Sequence, residues 1–320
     1  MTKARSQLIQ EVISNLVDAG FDLSSQCDVR PSCFDLVARK GEQLVLVKIL
    51  ANIDALTKED AMSLQLVAHF FNATPLIVGR QTRRGILDEG IVYKRYGVST
   101  ITPQTLQGAI EEERMPREFI QRGGRFVTID GGRLKEVRIS HDMTKKDLAK
   151  CVEVSARAIL AYEKDEMDVS KDVAERLEEV LETDLIIPLD VLQNPLIRET
   201  PTSPGIPSEL PPIESRVNEF FARLGMTVLW TDRAPFHVAA KEEGPPLMTG
   251  IGSIRSRKLH KRMQILKSVS NVTHSDTLII VEESRIDESI SDLPVIRQLE
   301  LDEIERPQEL KKIIKERTPD

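Results

Sequence analysis

Seven residues between positions 145 and 164 have side chains suited to a nucleic-acid duplex: Lys145, Lys146, Ser155, Ala156, Arg157, Ala161 and Lys164. A guanidinium such as that of Arg157 can make two parallel hydrogen bonds to one guanine edge, and Ala156 or Ala161 can meet a thymine methyl. The Ser155 hydroxyl can donate or accept at a base edge. The ammonium groups of Lys145, Lys146 and Lys164 suit phosphates, which orient a protein without reading sequence. The alternative is a small helical bundle that binds protein and leaves these charges in water. Salt-dependent duplex binding, weakened in Arg157→Ala, separates the two.

A second constellation has the residue types of metal-dependent hydrolysis but not the full set. Asp35 and Lys48 resemble the Asp and Lys of the restriction-endonuclease-like fold, where that resemblance implies a carboxylate and a lysine beside a divalent ion. Such a site needs another carboxylate two residues before the lysine. That position is Leu46; Glu11 on the first helix could supply one carboxylate, but the metal pair stays incomplete. The expectation is therefore a protein that is not an enzyme, with no metal or cofactor. No glycine-rich dinucleotide or phosphate loop and no nucleophile elbow occurs; Gly250-Ile251-Gly252 alone is too short a signal. Cys27, Cys33 and Cys151 lack metal-ligand spacing and are expected to be free, partly buried thiols.

The elements around positions 145 to 164 are short helices. Leu134 and Val137 lie on one face of a helix that opens near Gly132. Thr144 and Asp147 have the spacing of a capping box, and Leu148, Ala149 and Val152 form the apolar side of the next helix. After a break at Glu153-Val154, Ser155 is expected to cap a helix over 156–163, with Ile159 and Tyr162 facing inward. Ser170 is expected to cap a last helix carrying Val173, Leu177, Val180 and Leu181.

Residues 132–190 therefore read as one domain. Residues 192–212 hold six of the 17 prolines and read as an extended spacer. A softer boundary runs from Pro103 through the Glu111–Glu113 cluster to Gly123-Gly124. The flanks, 1–110 and 213–320, share an order of helix, strand, strand, helix, strand, which predicts a small α/β sheet in each. Phe34 and Phe236, and Pro75 and Thr277, are separated by the same offset of 202, which suggests an internal duplication. In the second copy the positions of Asp35, Leu46 and Lys48 hold His237, Met248 and Gly250, so no metal site is expected there.

The net charge is −7, but it is segregated. Residues 114–157 carry an excess of five positive charges and 158–212 an excess of nine negative ones. A basic face for an anionic partner can thus exist within an acidic chain. A further basic stretch, Arg255, Arg257, Lys258, Lys261, Arg262 and Lys267, reads as a helix face that is solvated or touches phosphates, the former weighing slightly more. At 4% aromatics the chain is poor in the stacking platforms that single strands need. No apolar run has the ~20 residues of a membrane span, and the first residues lack an export signal. A soluble, cytoplasmic protein is expected.

The run Met143–Ala149, then Val154–Ile159, then Tyr162-Glu163-Lys164, resembles the Cro/C1-type helix-turn-helix family. In that resemblance Ala149 is the small residue at the helix crossing, and Ile159 is the apolar anchor of the recognition helix. Glu153 and Asp165 stand where the family often has glycine; a left-handed Glu153 would cost about 1 kcal/mol relative to glycine. Asp35 and Lys48 give the first flank a resemblance to the restriction-endonuclease-like fold, in a form expected to be inactive. The whole order resembles a group of archaeal helix-turn-helix regulators. It implies a DNA-binding transcriptional regulator with α/β domains around an all-α central domain. Its partner would be double-stranded DNA, met as a homodimer, with no membrane involved. A metal-dependent nuclease or repair protein and a protein-binding transcription scaffold are the alternatives.

Overall fold

A computed structural model describes residues 3–111, 114–193 and 210–319. The elements run α1 (Lys3–Asp18), β1 (Asp22–Leu23), β2 (Leu36–Lys40), β3 (Gln43–Asn52), α2 (Lys58–Phe70), β4 (Thr74–Gln81), β5 (Ile91–Arg95), β6 (Val98–Ile101) and α3 (Pro103–Glu111). Then come β7 (Glu118–Gln121), β8 (Gly124–Ile129), α4 (Gly131–Ser140), α5 (Lys145–Cys151), α6 (Ala156–Glu163), β9 (Val169–Ser170), α7 (Lys171–Leu181) and β10 (Ile186–Ile187). The last part holds α8 (Pro212–Arg223), β11 (Thr227–Trp230), β12 (Val238–Lys241), β13 (Leu247–Gly252), α9 (Arg257–Thr273), β14 (Thr277–Val281), β15 (Ser289–Ile290), β16 (Leu293–Arg297) and α10 (Pro307–Arg317). The proline spacer falls mostly on 194–209, outside the described residues.

The residues divide into two units. One is Met1–Asn15, Leu50–Ala55 and Ile77–Gln193; the other is Leu16–Ile49, Leu56–Leu76 and Asn194–Asp320.

In the first unit, β5 pairs with β6 antiparallel and with β7 in parallel, and β7 turns back into β8. The turn is made by Gly123 and Gly124, both at positive φ, which glycine adopts without a side-chain clash. Beyond β8 the helices α4 to α7 close around Leu134, Leu148, Val152, Ile159, Tyr162, Leu177 and Leu181. This region is not purely helical, contrary to expectation. Val127 and Ile129 of β8 enter the same core, and β9 and β10 pair antiparallel with β8. Each of those strands has two residues, too few to show an alternating pattern. Ser170 stands at the N-cap of α7 as expected, but its side chain makes no capping hydrogen bond, and its backbone pairs with Phe126 in the ladder.

In the second unit, β1, β2 and β3 form an antiparallel ladder. A six-stranded sheet follows, in the order β11-β12-β13-β14-β16-β15, antiparallel at its ends and parallel at its centre. Val217, Phe220 and Phe221 of α8 and Leu310 and Ile314 of α10 pack on Val238, Ala240, Leu278, Ile280 and Ile296. Gly250 on β13 leaves room for α9: a Cβ there would lie 2.9 Å from Ile279 Cδ1 and 3.6 Å from Leu259 Cδ1.

The two hairpins of this unit share one register. Leu36 faces Val47 and Val37 faces Leu46; Val238 faces Thr249 and Ala239 faces Met248. Every pair is shifted by the 202 positions read from the sequence. The hydrogen bonds follow suit. Asp35 N–H donates to Val47 O at 2.8 Å and His237 N–H to Thr249 O at 2.9 Å. The Ile49 N–H donates to Asp35 Oδ2 at 2.8 Å, and the Ile251 N–H to His237 Nδ1 at 2.9 Å.

Candidate nucleic-acid interface

The start of α5 is set by a reciprocal cap. The Asp147 N–H donates to Thr144 Oγ1 at 3.2 Å, and the Thr144 N–H donates to Asp147 Oδ2 at 3.1 Å. These bonds from Thr144 hold the Asp147 carboxyl below its ordinary value. After α5 the chain turns at Glu153, whose φ is +57°. Its carboxylate lies 2.6 Å from Arg176 Nη1. Ser155 then caps α6 by accepting from the Ala158 N–H at 3.0 Å. Ala149, buried and small, lets α5 and α6 cross closely.

The far end of α6 is fixed from beneath. Arg138 Nε of α4 donates to Glu163 Oε1 at 2.5 Å, and Arg138 Nη1 to Met143 O at 2.7 Å. Both side chains of that ion pair are below a tenth exposed. Gly131 admits the close approach of α4, since a Cβ there would lie 2.3 Å from Tyr162 O. Asp165, at φ +55°, accepts the Gly131 N–H on Oδ1 at 3.1 Å. An aspartate in the glycine-favouring position is therefore held by a hydrogen bond that glycine could not make.

With Ile159 and Tyr162 buried, α6 turns Arg157, Leu160 and Lys164 outward, and Ala156 and Ala161 are half-buried beside them. Residues 157, 160, 161 and 164 follow the spacing of one helix face. Leu160, 39% exposed, was missed in the sequence. The signal for it was present: Ile159 as the anchor forces the next side chain outward. Ser155 and Lys146 are exposed close by in the chain. Lys145 and Lys164 are not bare cations: Lys145 Nζ lies 3.6 Å from Glu163 Oε2, and Lys164 Nζ lies 3.7 Å from Glu166 Oε1. Arg157 has no ion-pair partner among the described residues.

The hydrolytic constellation is tied into its own hairpin. Asp35 is fully buried; besides the Ile49 N–H it accepts from Arg30 Nη2 at 3.4 Å. Lys48 Nζ donates to Ser32 O at 2.5 Å, and Leu46 lies in the core. Glu11 is engaged by Arg80 and Gln104. Among the described residues no three His, Cys, Asp or Glu side chains are grouped to hold a metal ion.

The stretch from Arg255 to Lys267 forms the start of α9, with Leu259, Met263 and Leu266 inward as expected. Lys261 pairs with Asp28 at 2.7 Å and Lys267 with Asp292 at 2.5 Å, and Arg262 is half-buried, while Arg255, Arg257 and Lys258 are exposed, so the basic face is neutralised only in part. His260 Nε2 meets Ile254 O at 2.7 Å. Cys27 and Cys33 are free and buried; Cys151, at the solvent side of α5's end, is exposed rather than partly buried.

A capped helix, a left-handed turn and a second capped helix with an outward polar face define a helix-turn-helix unit. A model of the helix-turn-helix family matches residues 134–186, and a model of the PD-(D/E)XK superfamily domain matches residues 5–116. Across nearly the full length the chain is similar to proteins provisionally named HTH-type transcriptional regulatory proteins. That of Thermococcus kodakarensis is 35% identical, covering 97% of this chain and 95% of its own. Those of Pyrococcus horikoshii and Haloarcula marismortui are each 36% identical, covering 98% and 99% of this chain and 98% of their own. The chain belongs to this family of archaeal HTH-type regulatory proteins. No solved structure matches it. Among the described residues no helix is long and apolar enough to cross a membrane.

Proposed function

We infer that the protein is a transcriptional regulator that binds duplex DNA through α6. The observation that carries this is the outward face of α6: an arginine with no ion-pair partner among the described residues, an exposed leucine and half-buried alanines, on a helix capped by Ser155 at its start and held by the buried Arg138–Glu163 pair at its end. A recognition helix sits in the major groove with its early residues at base edges. Arg157 would read guanine; Ser155, Ala156, Leu160 and Ala161 would fit base edges and thymine methyls; Lys145, Lys146 and Lys164 would meet phosphates. Such units bind twofold sites as dimers, and a homodimer is part of the reading.

The test is genome-wide mapping of bound sites, then binding to the recovered duplex. Arg157→Ala is expected to weaken specific binding by about 10- to 100-fold, the cost of about 1–3 kcal/mol for one bidentate base contact. Equal affinity of wild type and variant for the recovered site would sink the assignment of Arg157.

The superfamily of the first domain contains nucleases, so cleavage is the competing reading. Against it stand the buried Asp35, already hydrogen-bonded, and a lysine turned to a backbone carbonyl beside Leu46. We propose that this domain is a scaffold. Incubation of duplex and single-stranded DNA with Mg²⁺ or Mn²⁺ is expected to give no cleavage; cleavage abolished by Asp35→Ala would reverse the reading.

A further inference from the structure

We propose that the second unit binds a small organic carboxylate that also carries a hydrogen-bond donor, an α-amino acid being the simplest, in the cavity between Arg262 and Glu214. The cavity has a volume of about 320 Å³, within the ~300–1,000 Å³ range of small-molecule sites. Leu66, Val67 and Trp230 supply its apolar wall. The Trp230 Nε1–H is already spent on Asn218 Oδ1 at 3.0 Å, so the indole contributes surface rather than a donor.

Three polar groups, Arg262, His237 and Glu214, are assigned to the ligand; Ser63, Thr231 and Asp232 also line the cavity. Arg262 Nη1 is buried without a hydrogen-bond partner among the described residues. A buried cationic donor left unpaired is costly, and a carboxylate is the group that satisfies a guanidinium best. His237 accepts the Ile251 N–H on Nδ1, so the proton of its neutral ring sits on Nε2, which makes that atom a donor. Burial and the nearby Arg262 keep the ring neutral, with its pKa lowered to about 3. Glu214 is the acceptor for the ligand's own donor; burial raises its carboxyl and the Arg262 charge opposes that.

The register explains why this hairpin can take an anion. His237 holds the position of Asp35, and Gly250 that of Lys48. A carboxylate that would repel an anion is replaced by a neutral donor, and the side chain that would cross the hairpin is absent. The inference is independent of the DNA reading.

The experiment uses the full-length protein. Thermal unfolding and calorimetry are run with each of the twenty protein amino acids, with the C-terminal amide of any that binds, and with its deaminated acid. At least one amino acid is expected to raise the melting temperature by about 3 °C or more at saturation. Its amide is expected not to do so. Arg262→Gln should weaken binding at least about tenfold, and Glu214→Gln should weaken the amino acid more than its deaminated acid. Ser63→Trp, which fills the cavity from α2 and leaves Arg262 in place, should abolish binding; it serves if Arg262→Gln does not fold. No binding by any amino acid overturns the proposal, as does binding that survives both Arg262→Gln and Ser63→Trp.

Discussion

Single residues set the frame that α6 needs. The Arg138–Glu163 pair is buried, and removing one partner leaves the other charged and unpaired. Glu163→Ala is therefore expected to cost about 3–5 kcal/mol of stability, read by chemical unfolding; a loss below about 1 kcal/mol would mean that water replaces the carboxylate. Glu153 tests the opposite case. Its left-handed backbone favours glycine by about 1 kcal/mol, and its half-exposed pair with Arg176 is worth roughly 0–1 kcal/mol. Glu153→Gly should leave stability unchanged or raise it by up to about 1 kcal/mol, and a clear loss would show that the ion pair wins. His237 gives a pH dependence. Its folded pKa, about 3, lies below the ordinary value of 6.5. The unfolded chain therefore takes up the proton first, so this stabilisation is complete above about pH 6.5 and is lost as pH falls toward 3. His237→Gln should flatten the stability profile between about pH 6 and 4, by up to about 1.4 kcal/mol per pH unit. An unchanged slope would place the titration elsewhere.

At the scale of elements, what was legible depended on whether a local rule decided the structure. Thr144 and Asp147, and Ser155, announce helix starts because a side chain three residues from a backbone N–H can reach it in no other local arrangement. The capping box and the α6 cap are both formed. The left-handed turn at Glu153 was legible only through the family resemblance, since glutamate gives no local signal for positive φ. Three features were not read from the sequence, two of them because the partner lies far along the chain. Ser170 occupies the N-cap of α7, but it also joins a ladder with Phe126 and makes no side-chain cap. β10 pairs with Ile129 and Thr128, more than fifty residues earlier. Lys145 and Lys164 read as free phosphate contacts, but each has a carboxylate within 4.0 Å. The Lys145–Glu163 pair follows from where α6 ends relative to α5, which no spacing rule contains, whereas Glu166, two residues from Lys164, is a local partner. In the flanking regions the element order and offset of the hairpins were readable, but the neighbours of Arg262 were not, because its cavity draws on α2, α8 and α9 together.

For the whole molecule, the −7 charge and its segregation make a prediction about salt. Affinity for duplex DNA falls with salt in proportion to the phosphates neutralised, with a slope near −0.9 per contact. With the phosphate roles proposed for them, Lys145, Lys146 and Lys164 would give about three contacts per protomer, hence a slope of about −2 to −3 for one protomer and about −5 for a pair on a twofold site. The first value is a ceiling, because Glu163 and Glu166 already share two of the lysines. The face of α9, where Lys261 and Lys267 are paired and Arg255, Arg257 and Lys258 are exposed, is left out of this count. Lys146→Ala should lower the slope by about one contact per protomer while leaving the preference among sequences unchanged, whereas Arg157→Ala should change that preference. The measurement is binding to the mapped site at several salt concentrations, with stoichiometry from light scattering. A slope of about −5 with two protomers per duplex fits a dimer reading through α6 alone. A slope much steeper than that, unaffected by Lys146→Ala, would move the DNA-binding surface away from the helix-turn-helix and onto another part of the chain.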